Sequence, residues 1–346
     1  MSAEHPRRIL VRCPNPVGDA VMATPALRAL RRAQPAAHIA VLGLPHHRDL
    51  LRGLATIDEF VSIPDKRLRT TLARTRALRR QRYDWAVLLP DSPRAALDAF
   101  LAGIPRRVGY ARDPLRRLLL SEALAPPSEA GQRVPISMIE RYLRITRWLG
   151  CSDAGDALEL VVDANAARAV GEELASRGVA SDEPLLLVTP GASFGPSKLW
   201  PPEHFARACD EIERRLGLLP VIVPAPSPDE IAVARDVAAH AKGRHLLLDE
   251  GPGDLAFLVA LVARSRLVLT NDTGPRHIAV ALDRPAVVLM GPNDPRHTAH
   301  LLERQRVLRE DVPCSPCHLK VCPIDHRCMT RLVPERAVAA AEELLS

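Results

Sequence analysis

Three short runs carry residues whose types and spacing can do chemistry on a phosphorylated, hydroxyl-bearing ligand. The first is Pro14-Asn15-Pro16-Val17-Gly18-Asp19. Gly18 lets the backbone pass close to a ligand and leaves the next side chain exposed. Asp19 then offers a carboxylate that can accept a proton from a hydroxyl. The same residue can equally serve as a helix-start acid, satisfying N–H groups rather than a substrate. No G-x-G-x-x-G pattern is present, so this is not a dinucleotide fingerprint.

The second run is Thr189-Pro190-Gly191-Ala192-Ser193-Phe194-Gly195-Pro196-Ser197-Lys198-Leu199-Trp200-Pro201. Gly191, Ser193, Gly195 and Ser197 can present N–H and hydroxyl groups to phosphate. Lys198 adds a compact charge. The chain holds 4 lysines against 43 arginines, so a lysine here points to a point charge rather than a planar fork. An ordinary turn with a solvated lysine has the same composition. The third run is Thr270-Asn271-Asp272-Thr273-Gly274-Pro275-Arg276-His277. A strand ending at Thr270 and a helix with Pro275 at its first position leave free N–H groups and the positive end of a helix dipole at the turn. That is a diphosphate site, with Thr273 and Gly274 as close contacts. His277 can donate to the ligand or pack inside. Two further groups are less specific. Asp229 and Glu230 follow a strand end, where an acid can hold ribose hydroxyls or simply favour a helix start. Cys314, Cys317, Cys322 and Cys328 have zinc-like spacing, and free thiols or a loop disulfide are the alternatives; no catalytic metal is assigned.

These groups need a frame that carries them at strand ends. Arg8–Arg12, His38–Leu42, Trp85–Leu89 and Arg106–Tyr110 read as strands of a first half. Helices are expected from Pro25 to Ala33, with Thr24 as N-cap, over the basic stretch Lys66–Arg80, and over Ile136–Leu149. The second half repeats the theme. Strands are expected at Leu185–Thr189, Pro220–Val223, His245–Leu248, Leu267–Thr270 and Ala286–Met290, with helices over 202–216, 228–241, 254–264 and 275–282. Near-continuous apolar strands alternating with helices predict parallel sheets covered on both faces. The expected layout is an α/β protein of two Rossmann-like domains with a cleft between them: residues 1–165, residues 166–333, and a helix at 334–346 that packs back.

The 346 residues suit two domains, and 47% are hydrophobic. This composition excludes a disordered chain. Aromatic residues make up 3%, which leaves few stacking platforms and argues against nucleic acid. The net charge of +6 gathers locally at Arg28/Arg31/Arg32, Arg74–Arg82, Arg106/Arg107/Arg112 and Arg116/Arg117. Such clusters are either solvated helix faces or contacts for an anionic surface. No run approaches 18 apolar residues and the start MSAEHPRRILVRCP has no signal-like core, so a cytoplasmic protein is expected.

PNPVGDAVMATPALRALR, LAGIPRRVGYARD, TPGASFGPSKLWPPEHFA, TNDTGPRHIA and GPNDPRHT together resemble the ADP-heptose:lipopolysaccharide heptosyltransferases of glycosyltransferase family 9. CSPCHLKVCPIDHRCM resembles a feature of the heptosyltransferase II branch. The resemblance runs from about residue 8 to residue 340. It implies a GT-B fold and inverting transfer of heptose from ADP-heptose to the inner core of a lipopolysaccharide precursor. The acceptor would be a lipid A–Kdo-type glycolipid met at the inner membrane face, with no cofactor. It implies Asp19 as general base and Lys198 as the donor-phosphate lysine. Thr189, Ser193, Lys198, Glu230, Asp272, Thr273, Gly274 and His277 would bind donor, and Asn15, Gly18 and Arg94 would lie on the acceptor side. Pro16 and the run Asp91-Ser92-Pro93-Arg94 depart from the family pattern there. Other readings are a nucleotide-sugar epimerase, a related GT-B enzyme with a different glycan acceptor, or a non-catalytic nucleotide-sugar-binding protein.

Overall fold

Short apolar runs form the central strands because each is buried on both faces by helices packed above and below. The computed structural model describes residues 5–65, 67–129, 132–250 and 253–346. The chain divides into two compact units, Met1–Val161 and Val162–Ser346.

The first unit runs β1 (Arg8–Arg12), α1 (Val17–Met22), α2 (Thr24–Ala33), β2 (His38–Gly43), α3 (His47–Leu50), β3 (Glu59–Ser62), α4 (Leu68–Arg80), β4 (Trp85–Leu88), α5 (Pro93–Leu101), β5 (Arg106–Tyr110), α6 (Pro114–Leu119), β6 (Glu122–Leu124), β7 (Ser128–Glu129), β8 (Gln132–Arg133) and α7 (Met138–Trp148). Its six-stranded sheet has the order β3-β2-β1-β4-β5-β6. All of its pairs are parallel, and Val11 faces Val41 on one side and Val87 on the other. The order reverses direction between β1 and β4. In open α/β sheets that reversal leaves a crevice at the carboxyl ends of the strands, where ligands bind.

The second unit runs α8 (Ala164–Ser176), β9 (Leu185–Thr189), α9 (Pro202–Leu216), β10 (Leu219–Ile222), α10 (Pro228–His240), β11 (Leu246–Leu247), α11 (Leu255–Arg264), β12 (Leu267–Asn271), α12 (Gly274–Ala281), β13 (Ala286–Leu289), β14 (Gln305–Leu308), α13 (Arg327–Thr330) and α14 (Pro334–Leu345). Its sheet order, β11-β10-β9-β12-β13-β14, repeats the first. Val188 pairs with Ile222 and Leu269, so the reversal lies between β9 and β12. On one face Trp200, Phe205 and Ile212 meet Ala337, Val338 and Ala341 of α14 in one buried cluster. Gly217 ends α9 in the left-handed region, φ 64°, where a side chain would be strained.

Several expectations are corrected. Thr24 is not an N-cap; it is the first residue of α2, and no side chain caps that helix. Its hydroxyl instead donates to Val21 O (2.8 Å) and accepts from Glu159 N–H (3.0 Å). The Gly18-Asp19 turn is the first turn of a short helix, α1, and α12 starts at Gly274, one residue ahead of Pro275. Lys66 lies outside the described residues. The strands β3, β6 and β14 went unforeseen because edge strands pair on one side only. Their polar, half-buried residues lack the continuous apolar signal of a central strand.

The basic clusters also divide. Arg28, Arg31, Arg74, Arg106 and Arg107 turn inward onto carbonyls and carboxylates. Arg116 is fully buried and donates to Tyr110 O (2.6 Å), Ser92 O (2.6 Å) and Leu88 O (3.3 Å). It thereby ties together the carboxyl ends of β4 and β5, and Gly109 makes room for it: a Cβ there would sit 2.9 Å from Arg116 Nη2. Among the described residues no helix is long and apolar enough to cross a membrane. Replacing Arg116 with Leu strands three carbonyls at this edge and should cost about 3 kcal/mol. The measurement is the urea midpoint of the first unit; an unchanged midpoint would show that the clamp is dispensable.

Candidate active site

In the second unit the reversal point is built from the two loops that leave β9 and β12. Asn271, the last residue of β12, holds the β9 loop at both ends. Its Nδ2 donates to Pro190 O (2.6 Å), and its Oδ1 accepts from Trp200 N–H (3.3 Å). Trp200 is anchored in turn by its indole N–H, which donates to Leu332 O (2.7 Å). Held this way, the loop delivers Lys198 to the β12 turn. Lys198 Nζ donates to Asp272 O (2.6 Å) and to Asp272 Oδ2 (3.0 Å), and lies 5.3 Å from the centroid of the Phe194 ring.

Asp272 has further partners. Arg276 Nη1 donates to its Oδ1 (2.9 Å) and Asn293 Nδ2 to its Oδ2 (2.9 Å). Lys198, Asp272 and Arg276 are all buried. Burial alone would raise the Asp272 carboxyl, but the charges of Lys198 and Arg276 outweigh it and hold the group well below the usual carboxylate range. Two cations then face one anion, so the buried cluster has a surplus of one positive charge. It lies beside the start of α12, where Thr273 provides no side-chain cap and the first N–H groups are not satisfied within the helix. Uncapped N–H groups beside surplus positive charge favour a negatively charged group. His277, four positions into α12, is buried, and burial followed by the Arg276 charge pushes its pKa down to about 3. It is a neutral imidazole at physiological pH.

Lys198, Asp272, Thr273, Gly274 and His277 are thus gathered at one turn. Glu230 joins from α10: a Cβ on Gly191 would lie 2.0 Å from its Oε2, so its carboxylate rests on the β9 loop. Burial raises its pKa, against a hydrogen bond from Ala225 N–H. Thr189 is placed differently. Its hydroxyl donates to Thr270 Oγ1 (2.7 Å) inside the sheet, while Ser193 is exposed on the loop. Ser197 is engaged by the cysteine segment. Its N–H donates to Lys320 O (3.1 Å), its hydroxyl donates to Leu319 O (2.5 Å), and its carbonyl accepts from His326 Nε2 (2.7 Å). The four cysteines are free thiols, with Cys314 and Cys317 exposed and Cys328 buried. Among the described residues no group of three or more His, Cys, Asp or Glu side chains is arranged to hold a metal ion.

In the first unit, Asp19 occupies the third position of α1, half-buried at the carboxyl end of β1, beside buried Gly18. Burial pushes the Cys13 thiol up to about 12, with a further contribution from the Asp19 charge, and Tyr142 is raised in the same way. Asn15 Oδ1 accepts from Arg12 Nη2 (2.7 Å), and its carbonyl accepts from His47 Nε2 (3.1 Å). Burial, then His46, pushes the His47 pKa down to about 3. Arg94 is exposed at the start of α5. Asp91, just ahead of it, pairs with Arg141, whose guanidinium stacks 4.1 Å from the Tyr110 ring centroid.

Residues 71–327 match the sequence profile of glycosyltransferase family 9 (heptosyltransferase). The chain belongs to glycosyltransferase family 9. It is 32% identical over 313 residues to lipopolysaccharide heptosyltransferase 2 of Escherichia coli K12, covering 87% of this chain and 88% of that protein. The Salmonella typhimurium protein of the same name is 31% identical over the same coverage. The solved structure of E. coli ADP-heptose lps heptosyltransferase II superposes with a TM-score of 0.80 at 28% identity over 98% of each chain. The fold is therefore the GT-B class of this glycosyltransferase family. The profile takes in the whole Lys198–Asp272–Arg276 cluster, whereas Asp19 lies ahead of it. Arg276 was missed by sequence reasoning. No local signal marked it, because its burial is set by Gln305 and Thr298, more than 20 positions away.

His47 and His277 give the enzyme a pH signature. Their folded pKa values lie below the unfolded value of about 6.5, so the unfolded chain binds more protons between about pH 3 and 6.5. Stability is full above about pH 6.5 and falls on acidification, by up to about 1.4 kcal/mol per pH unit for each histidine. A thermal melt series from pH 7.5 to 5 should show this fall, and His277→Gln should make it shallower. Parallel curves for the two proteins would mean that His277 titrates normally.

Proposed function

We propose that this glycosyltransferase moves a heptose from ADP-heptose to the inner core of a lipopolysaccharide precursor, with inversion at the anomeric carbon. The observation that carries the reading is the buried surplus of positive charge formed by Lys198, Asp272 and Arg276 beside the uncapped start of α12. Such a cluster suits a diphosphate, and ADP is the leaving group that such a transfer requires. The names of the E. coli and Salmonella relatives supply the sugar and the acceptor class.

In this reading the acceptor, a lipid A–Kdo-type glycolipid, places one hydroxyl at Asp19. Asp19 takes its proton while the oxygen attacks the anomeric carbon. The bond from that carbon to the β-phosphate oxygen breaks, and its electron pair leaves with ADP. Lys198 and the N–H groups at Thr273–Gly274 stabilise the charge that develops there. Glu230 is positioned for ribose hydroxyls and His277, as a neutral imidazole, for a hydrogen bond to the donor. Asn15, Gly18 and Arg94 shape the acceptor side. Asp19→Asn should lower kcat about 10²–10⁴-fold while ADP affinity stays within error. Turnover near wild type would dismiss Asp19 as the base. Lys198→Ala should weaken ADP binding and slow transfer together. The direct assay is incubation with ADP-heptose and truncated lipopolysaccharide acceptors, scored by mass for one added heptose; no addition to any of them would reject the reading.

The place of action follows from the same reading: the cytoplasmic face of the inner membrane, by peripheral contact. Support comes from the helical layer α4–α5–α6 of the first unit. Arg69, Arg76, Arg80 and Arg117 are exposed there and make no ion pair among the described residues. Leu115 and Leu118 on α6 are 59% and 75% exposed. Basic charge with exposed leucines suits an anionic bilayer better than a nucleic acid. Binding to vesicles containing anionic lipid should weaken as salt rises, and replacing Leu118 with Ser should weaken it further. Binding that is indifferent to salt and to Leu118, or that requires RNA, would locate the contact elsewhere.

A further inference from the structure

The two cations on Asp272 are held in different ways. Lys198 sits on a loop, at the end of a flexible four-carbon stem. Its two hydrogen bonds to Asp272 leave one N–H of the ammonium for another partner. Arg276 is locked. Its Nε donates to Gln305 Oε1 (2.7 Å), its Nη1 to Asp272 Oδ1 (2.9 Å) and Thr298 Oγ1 (2.9 Å), and its Nη2 to Thr298 O (3.1 Å). Four of its five N–H groups are therefore engaged by the protein, and its side chain is 1% exposed. A group so enclosed does not reach a ligand.

We propose that Arg276 is a positioning residue, the fixed counter-ion of Asp272 that frees the Lys198 charge for the diphosphate of the donor. With Lys198 alone the pair would be neutral. Giving its charge to a phosphate would then leave a buried carboxylate without a cation, a costly state. With Arg276 in place Asp272 stays paired at Oδ1 and keeps the Asn293 amide at Oδ2 (2.9 Å). Lys198 can then turn to the ligand while Asp272 still anchors the turn that begins α12. Gln305 and Thr298 hold the guanidinium from β14 and from the loop after β13, so these two elements contribute to donor binding without touching the donor. The proposal rests on the diphosphate reading above.

The test is a double-mutant cycle read by calorimetry with ADP and with inorganic pyrophosphate, melting temperature being measured alongside. Arg276→Gln should weaken ADP and pyrophosphate binding about tenfold, and in an Asp272→Asn background the same change should cost less than about threefold, because no carboxylate then needs neutralising. Arg276→Lys, which keeps the charge, should lose melting temperature yet retain ADP affinity. Wild-type affinity in Arg276→Gln, or an equal loss in both backgrounds, would overturn the proposal. Should Arg276→Gln not fold, Arg276→Lys decides, since a loss of affinity there would sink the counter-ion role. A wild-type protein that binds pyrophosphate but transfers no heptose would reject the reaction and not this proposal. Heptose transfer with unaltered affinity in Arg276→Gln would do the reverse.

Discussion

A buried carboxylate between two buried cations is the constraint on which the second unit is organised. Asp272, just past the end of β12, joins the loop from β9, the start of α12 and the loop after β13, because each of these three sends a polar group to it. Ion pairs in the interior are poor sources of stability, since desolvation offsets most of their attraction. A surplus cation there is harder still to justify on stability alone. It becomes intelligible if an anion completes the cluster.

Sheet topology explains why two such loops can meet. Each unit repeats the order in which the sheet reverses between its first and fourth strands. The loops leaving those strands diverge to opposite faces and leave a crevice between them. In the second unit the crevice is lined by the β9 and β12 loops and holds the cation cluster. In the first it is lined by the segment carrying Asn15, Gly18 and Asp19 and by the segment after β4 carrying Asp91. A chain with the same architecture twice can therefore divide acid–base chemistry and anion binding between its halves.

Much of this was legible in the residues. Lys198 and the Asp272–Gly274 turn stood out because strand, polar turn and helix came in order. The central strands were plain because burial on both faces demands unbroken apolar runs. What was obscure has physical reasons. β3, β6 and β14 are edge strands whose polar residues carry no periodic signal. Thr24 and Thr189 have the right chemistry for a cap and a ligand contact, yet their hydroxyls are directed by neighbours distant in sequence, Glu159 and Thr270. Arg276 looked like any helix arginine, since its burial depends on Gln305 and Thr298, which no local pattern reveals. Most of the basic clusters dissolved for the same reason: their arginines find carbonyls that only the folded sheet brings near.

The loop bearing Lys198 has one further property. Every group that braces residues 197–204 from the far side, the carbonyls of Leu319, Lys320 and Leu332 and the imidazole of His326, comes from more than 120 positions later in the chain. A ribosome that has finished β9 has made the motif but not its scaffold. Asn271 and Asp272 grip the loop from the sheet side once β12 is made, but until residue 332 has emerged its far side is unbraced. The loop therefore reaches its final, two-sided support late in translation, when the last elements of the chain dock.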